Sequence, residues 1–162
     1  MTAEQVEILE NVTIDINPSS IVAALSSNLK NSFSDGVCSE NVEFSFKGKI
    51  RFLALLFSNK ENRIGIEVPS VKSFDKRGGV AAYYALSRLT EAKSEDVITS
   101  GILIVPKGTS GKKFQSALQV AEKYVKIIEF NQSEAEQLIK HGLIKLISLK
   151  GQEIVEIIKS LH

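Results

Sequence analysis

Three apolar segments follow one another between Val42 and Val68, separated by only a few polar residues: Val42–Phe46, Ile50–Phe57 and Ile64–Val68. Strands joined by turns this short pair antiparallel, because a parallel neighbour needs a crossover of about a dozen residues or more. Lys47-Gly48 and Asn59–Asn62 supply the turns. Val42, Phe44 and Phe46 alternate onto one side, whereas IRFLALLF (50–57) is apolar almost throughout, as expected of a central strand covered on both faces. This part of the chain is therefore committed to an antiparallel meander.

The rest of the chain has a different rhythm. Val80, Tyr83, Tyr84, Leu86 and Leu89 have helical spacing, Ile98–Val105 reads as a strand, Phe114–Tyr124 as a helix with Phe114, Leu118 and Ala121 inward, and Val125–Phe130 as a strand. Helix and strand in alternation call for parallel crossovers. Upstream, Asn17-Pro18-Ser19-Ser20 opens a helix whose Ile21, Val22, Leu25, Leu29 and Phe33 share a face. Before it, Val6–Ile16 alternates enough to be an edge strand. Downstream, Ser133 with Glu136 has the spacing of a capping box, for a helix closed by Gly142. Leu143–Leu149 is a short strand or a helix continuation, and Gln152–Leu161 is a terminal helix with Ile154, Ile157, Ile158 and Leu161 on one face. The expected fold is a single α/β domain, 1–162, with a mixed central sheet flanked by helices. Its core would be about 18–130, with a helical extension over about 131–162.

The 162 residues, 43% hydrophobic and 24% charged, suffice for a core without metals or disulfides. No apolar run is long enough to span a bilayer, and the acidic start MTAEQVEILEN does not resemble a secretory signal. Cys38 is the single cysteine. A cytoplasmic protein without membrane contact is expected.

Charge is unevenly spread. Residues 1–46 hold one base and seven acids, whereas 47–162 hold nineteen bases and twelve acids. Two basic groups stand out. Lys72, Lys76 and Arg77 precede the alanine-rich helix, where Asp75 or Ser73 is the candidate cap and Gly78-Gly79 permits close backbone approach. Lys107, Lys112 and Lys113 flank the start of the next helix, beside Thr109 and Ser110. Lysines there oppose the helix dipole, which an anion would relieve. If the strands preceding both loops are parallel neighbours, the loops share the carboxyl edge of the sheet, where α/β sheets bind ligands. Tyr83 and Tyr84 have the chemistry to stack on bases, although tyrosines at helical spacing more often pack in a core.

The order helix, three meander strands, helix, strand, helix, strand, with Glu67 closing the third strand, resembles the restriction-endonuclease-like fold over roughly residues 18–130. That fold includes archaeal Holliday-junction resolvases and DNA repair nucleases. The resemblance implies a site with an aspartate on the second core strand and Glu-x-Lys on the third. Its acids would hold Mg²⁺, and its lysine would position water. Glu67 matches the glutamate, but Pro69 stands at the lysine position and Ile50–Phe57 contains no acid. Lys72 would have to reach back, and Asp75 or Glu61 be recruited, for a metal to be held. Otherwise Glu67 is a solvated strand-end acid paired with Arg63 or Lys72. A nuclease-like domain without catalysis is expected, with no cofactor and with Mg²⁺ only if activity is retained.

Other chemistries find less support. In ILIVPKGTSGKKF, Gly111-Lys112 fits the second half of a P-loop, but Pro106 replaces its first glycine and Lys113 its Ser/Thr. His141 and His162 have no partners at zinc-ligand spacing, and no G-x-S-x-G occurs. The expected function is sequence-independent nucleic-acid binding, DNA first, through Lys72, Lys76, Arg77, Lys107, Lys112 and Lys113, in a structural or regulatory subunit of repair or recombination. The alternatives are a protein-interaction subunit that binds no nucleic acid, and a small-ligand or nucleotide binder using the Lys107–Lys113 loop. A homodimer through the terminal helix or the N-terminal segment is a further expectation.

Overall fold

A computed structural model describes residues 18–70, 74, 79–142 and 144–161. The elements in chain order are α1 (Pro18–Ser32), β1 (Val37–Phe46), β2 (Lys49–Ser58), β3 (Arg63–Glu67), α2 (Gly79–Ser94), β4 (Ser100–Pro106), α3 (Lys112–Ala121), β5 (Val125–Phe130), α4 (Gln132–His141) and α5 (Ile144–Ser160). The five strands form one sheet in the order β1-β2-β3-β4-β5. β1–β2 and β2–β3 are antiparallel, while β3–β4 and β4–β5 are parallel. The chain is thus a single α/β domain with a mixed sheet, antiparallel and then parallel.

The turns carry the chemistry their residues suggest. Lys47 (φ 48°) and Gly48 (φ 78°) both have positive φ, as a two-residue hairpin turn matching strand twist requires. Between β2 and β3, the Asn59 Oδ1 accepts the amides of Glu61 (3.1 Å) and Asn62 (2.8 Å), closing the turn.

The sheet divides two cores. Leu55, Phe57, Ile64, Ile66, Ile102, Ile104, Ile128 and Phe130 face α1, α4, α5 and Phe74. Leu103, Val105 and Val125 face α2 and α3 on the other side. β4 is buried from Gly101 to Pro106, so its unbroken apolar sequence reflects two covered faces. Gly65 and Gly101 are register partners beneath Leu89, and an added Cβ would lie 3.0 Å and 3.2 Å from its methyls. With Ala82, Ala85 and Ala92 also buried on α2, small residues on both sides let helix and sheet approach closely.

β2 departs from the expected central strand. Leu53 belongs to the second core, but Leu55 and Phe57 belong to the first. β1 switches in the same place: Cys38 packs on the first core, and Val42, Phe44 and Phe46 on the second. The register runs Glu40↔Leu55 and then Val42↔Leu53, skipping Asn41 and Ala54, and Asn41 has φ 50°. Beyond this kink the hairpin leans over α2, tied by Arg51–Glu91 at 2.9 Å. Its outer face leaves Ile50 and Phe52 exposed. Only the later part of Ile50–Phe57 is doubly covered, because the earlier part projects past the first core.

The C-terminal helices differ in detail from expectation. The capping box is Asn131 with Glu134, not Ser133 with Glu136: Asn131 Oδ1 accepts the Glu134 amide and Glu134 Oε1 accepts the Asn131 amide, each at 2.9 Å. Gly142 closes α4 as expected. The segment from Ile144 is helix, the second of the two readings expected for Leu143–Leu149. Ile154, Val155 and Ile158 of α5 are buried in the first core. Gly151 sits so close to Asn28 of α1 that a Cβ there would collide with the amide. Ile154 and Ile158 are therefore used inside the chain, whereas Ile157 and Leu161, also expected on this face, are only partly buried. Val6–Ile16 lies outside the described residues. Among those described, no helix is long and apolar enough to cross a membrane.

Candidate functional site

Because β3 and β4 are parallel neighbours, the segments that leave them emerge at the same carboxyl edge of the sheet. The segment after β3 contains Lys72, Lys76 and Arg77, which lie outside the described residues, as do Asp75 and Ser73. The loop after β4 is described. The Lys107 amide donates to Phe130 O (2.6 Å), Thr109 Oγ1 donates to Pro106 O (2.6 Å), and Gln115 Nε2 donates to Thr109 O (3.2 Å). Gly111, at φ 121°, precedes α3, and no side chain caps the helix. Neither α2 nor α3 has an acidic residue in its first turn.

The starts of these two helices touch through their backbones. A Cβ on Gly79 would overlap the Ser110 carbonyl oxygen and come within 3.1 Å of Gly111 Cα. Beside this junction lies a cleft of about 380 Å³, walled by Val80, Tyr83 and Tyr84 of α2 and by Lys112 and Lys113 of α3, with buried Phe114 alongside. It continues past Tyr83 and the two lysines to Ser116 and Ala117. Among the described residues, no carboxylate lines it. Tyr84 is 60% exposed, and Tyr83 is partly buried against the second core while also reaching the cleft. Their ring centroids are 5.9 Å apart at 60°, so the rings do not stack on each other. Core packing, the preferred expectation for this pair, holds for Tyr83 in part and not for Tyr84. Lys112 and Lys113 reach the cleft; Lys107 is exposed but does not line it.

Glu67 is not the solvated acid expected of a strand end. Its side chain is 1% exposed. Oε1 is held by Arg88 Nε of α2, and Oε2 accepts the Ala54 amide at 2.6 Å. The expected partner Arg63 instead pairs with Asp96 at 3.4 Å. Burial pushes the Glu67 carboxyl above its usual range, and Arg88 and the Ala54 amide pull it back in part. The kink explains the arrangement. Ala54 has no register partner on β1 or β3, so its N–H is available to a side chain. The β2 residue that meets the carboxylate is thus an alanine, meeting it through its main chain.

Among the described residues, no three His, Cys, Asp or Glu side chains are grouped so as to hold an ion. Glu61 precedes β3, at the end opposite Glu67, and five strand residues span about 15 Å. Burial also raises the pKa of Cys38, despite a hydrogen bond with Ser26, which leaves its thiol unactivated.

No family model matches the chain. No curated protein matches it in sequence. Among solved structures, it is similar to the crystal structure of AF1548, a protein of unknown function, with 12% identity and a TM-score of 0.44. That likeness covers 87% of this chain and 97% of the other. It carries neither family nor function.

Two features of the site escaped the reading of the sequence. The first is the partnership of Glu67 with Arg88. An acid between Ile66 and Val68 in a strand next to a doubly apolar one was the available signal that it is buried and needs a counter-charge. The second is the glycine contact between helix starts. Both helices open on glycine, Gly78-Gly79 and Gly111, and a shared close approach was readable there.

Proposed function

We propose that this protein is a nucleic-acid-binding domain, nuclease-like in its order of elements and without catalytic activity, serving as a structural or regulatory subunit. The observation that carries the reading is the cleft. It combines two lysines, two adjoining helix starts and aromatic rings, with no carboxylate among the described residues that line it. Phosphate contacts of this kind give affinity without base information. Binding is therefore expected to be independent of sequence and to weaken steeply with salt.

In fluorescence-anisotropy titrations at low salt, Lys112→Glu with Lys113→Glu is expected to weaken binding to all sequences alike. The log–log salt slope should flatten by about 0.9 per lost contact on duplex DNA. Lys140→Glu with Lys159→Glu is the comparison pair. Both lysines are exposed on α4 and α5, the helices on the opposite face of the sheet. Equal effects of the two pairs, or no binding by the wild type, would overturn the proposal.

The inactive reading rests on Glu67, whose two oxygens are both engaged, and on the strand Ile50–Phe57, which has no acid where a nuclease of this order would need one. Incubation with single-stranded, duplex and junction DNA plus Mg²⁺ or Mn²⁺ is expected to leave every substrate intact. Cleavage that disappears in Glu67→Ala would show the reading to be wrong.

A further inference from the structure

Resting on the nucleic-acid reading, we infer that the cleft takes a single-stranded segment, with an unpaired base on the exposed face of Tyr84 and the adjoining phosphates at Lys112 and Lys113. The walls of the cleft argue for this occupant over a duplex. Tyr84 is 60% exposed and Val80 69% exposed, which puts accessible apolar surface directly beside two lysines. A ring face of this kind is useful to a base only when that base has left its own stack. Duplex bases present edges in the grooves, whereas single strands present π-faces. The tilt between Tyr83 and Tyr84 leaves the Tyr84 ring without a stacked neighbour from Tyr83. The volume, about 380 Å³, is at the small-molecule scale and suits a splayed base rather than the width of a double helix. The two helix starts and the lysines then lie where backbone phosphates would pass. Stacking tolerates every base, so the arrangement remains independent of sequence.

Single-stranded DNA and RNA share the base and phosphate chemistry and differ in the 2′-hydroxyl, so both are arms of the test. The full chain is titrated by fluorescence anisotropy with one labelled sequence as single-stranded DNA, as single-stranded RNA and as a DNA duplex. Tyr84→Ala is expected to weaken single-strand binding by roughly 5- to 150-fold, the range found for loss of one stacked base. Its salt slope should be unchanged, because no phosphate contact is lost. Tyr84→Phe should retain most of the affinity, since the ring is kept. Duplex binding should be weaker than single-strand binding and unaffected by either change. The preferred arm, DNA or RNA, names the source of the strand. The exposure of Tyr84 keeps both variants clear of the core.

If Tyr84→Ala binds single strands like the wild type, or Tyr84→Phe is as damaging as Tyr84→Ala, the stacking role is overturned. Tighter binding of the duplex overturns it as well. In those cases a persisting effect of Lys112→Glu with Lys113→Glu leaves the broader reading intact. No binding of any nucleic acid by the wild type overturns both.

Discussion

Arg88→Met is expected to destabilise the protein by about 3 kcal/mol near neutral pH, toward the low end for breaking a buried ion pair. The guanidinium side chain is 36% exposed and therefore partly screened, but the carboxylate it neutralises is 1% exposed. The loss comes from leaving Glu67 charged and buried with the Ala54 amide as its remaining partner among the described residues. Burial already raises the folded-state pKa of Glu67, so the folded protein holds that proton more tightly than the unfolded chain. The corresponding stability is fully present below the unfolded value and is lost as pH rises through the folded value. Removing Arg88 moves the folded value further up and widens that window. Urea denaturation should therefore show a larger deficit at neutral than at mildly acid pH. Adding Glu67→Gln should recover much of it, because an uncharged amide can still accept the Ala54 N–H. A single variant within about 0.5 kcal/mol of wild type would place Arg88 among ordinary surface residues and remove the pair as a structural constraint.

Gly79→Val should cost about 2–3 kcal/mol, the upper part of the range for overpacking. The obstacle is main chain, the Ser110 carbonyl and Gly111 Cα, so no side-chain rotation can relieve it. Either α2 or the 107–111 loop must move, and the cleft changes shape with it. For a chain of this size the melting temperature should fall by roughly 4–12 °C. On the proposed function, nucleic-acid affinity should fall too, although no charge has been touched. Gln119→Ala, on the exposed side of α3, should leave both measurements unchanged. A Gly79→Val protein with the melting temperature of wild type would mean that the two helix starts do not touch in solution.

Most of the fold was legible because its local signals agree with its topology. Short turns forced the meander, and alternating helix and strand forced the parallel half. The kink at Asn41 and Ala54 was not legible, because alternation is read on the assumption that a strand keeps one face throughout. Val37–Asn41 consequently escaped assignment to β1: its residues alternate onto a different core from Val42 onward. The capping box was ambiguous by two residues, since Asn131 and Ser133 each have a glutamate three positions later. Where β5 ends, at Phe130, decides between them, and that is set by pairing with Pro106. At the site, the basic loop after β4 was recognised as a group, but only Lys112 and Lys113 reach the cleft. Lys107 lies beyond a loop held by its own hydrogen bonds. The partner of Glu67 is 21 residues downstream, a separation that only the packing of α2 on β3 brings to contact.

The junction of Gly79 and Gly111 has a thermodynamic consequence. Backbones already in contact fix the spacing of the two cleft walls before anything enters, and Arg88–Glu67 and Arg51–Glu91 anchor the same α2 that carries Tyr83 and Tyr84. Binding surfaces that must first order themselves lose about 0.5–1.5 kcal/mol for each flexible side chain immobilised. In the proposed binding that loss would fall on the two lysines and on exposed Tyr84, while the backbone of α2 that carries the rings is already held in place.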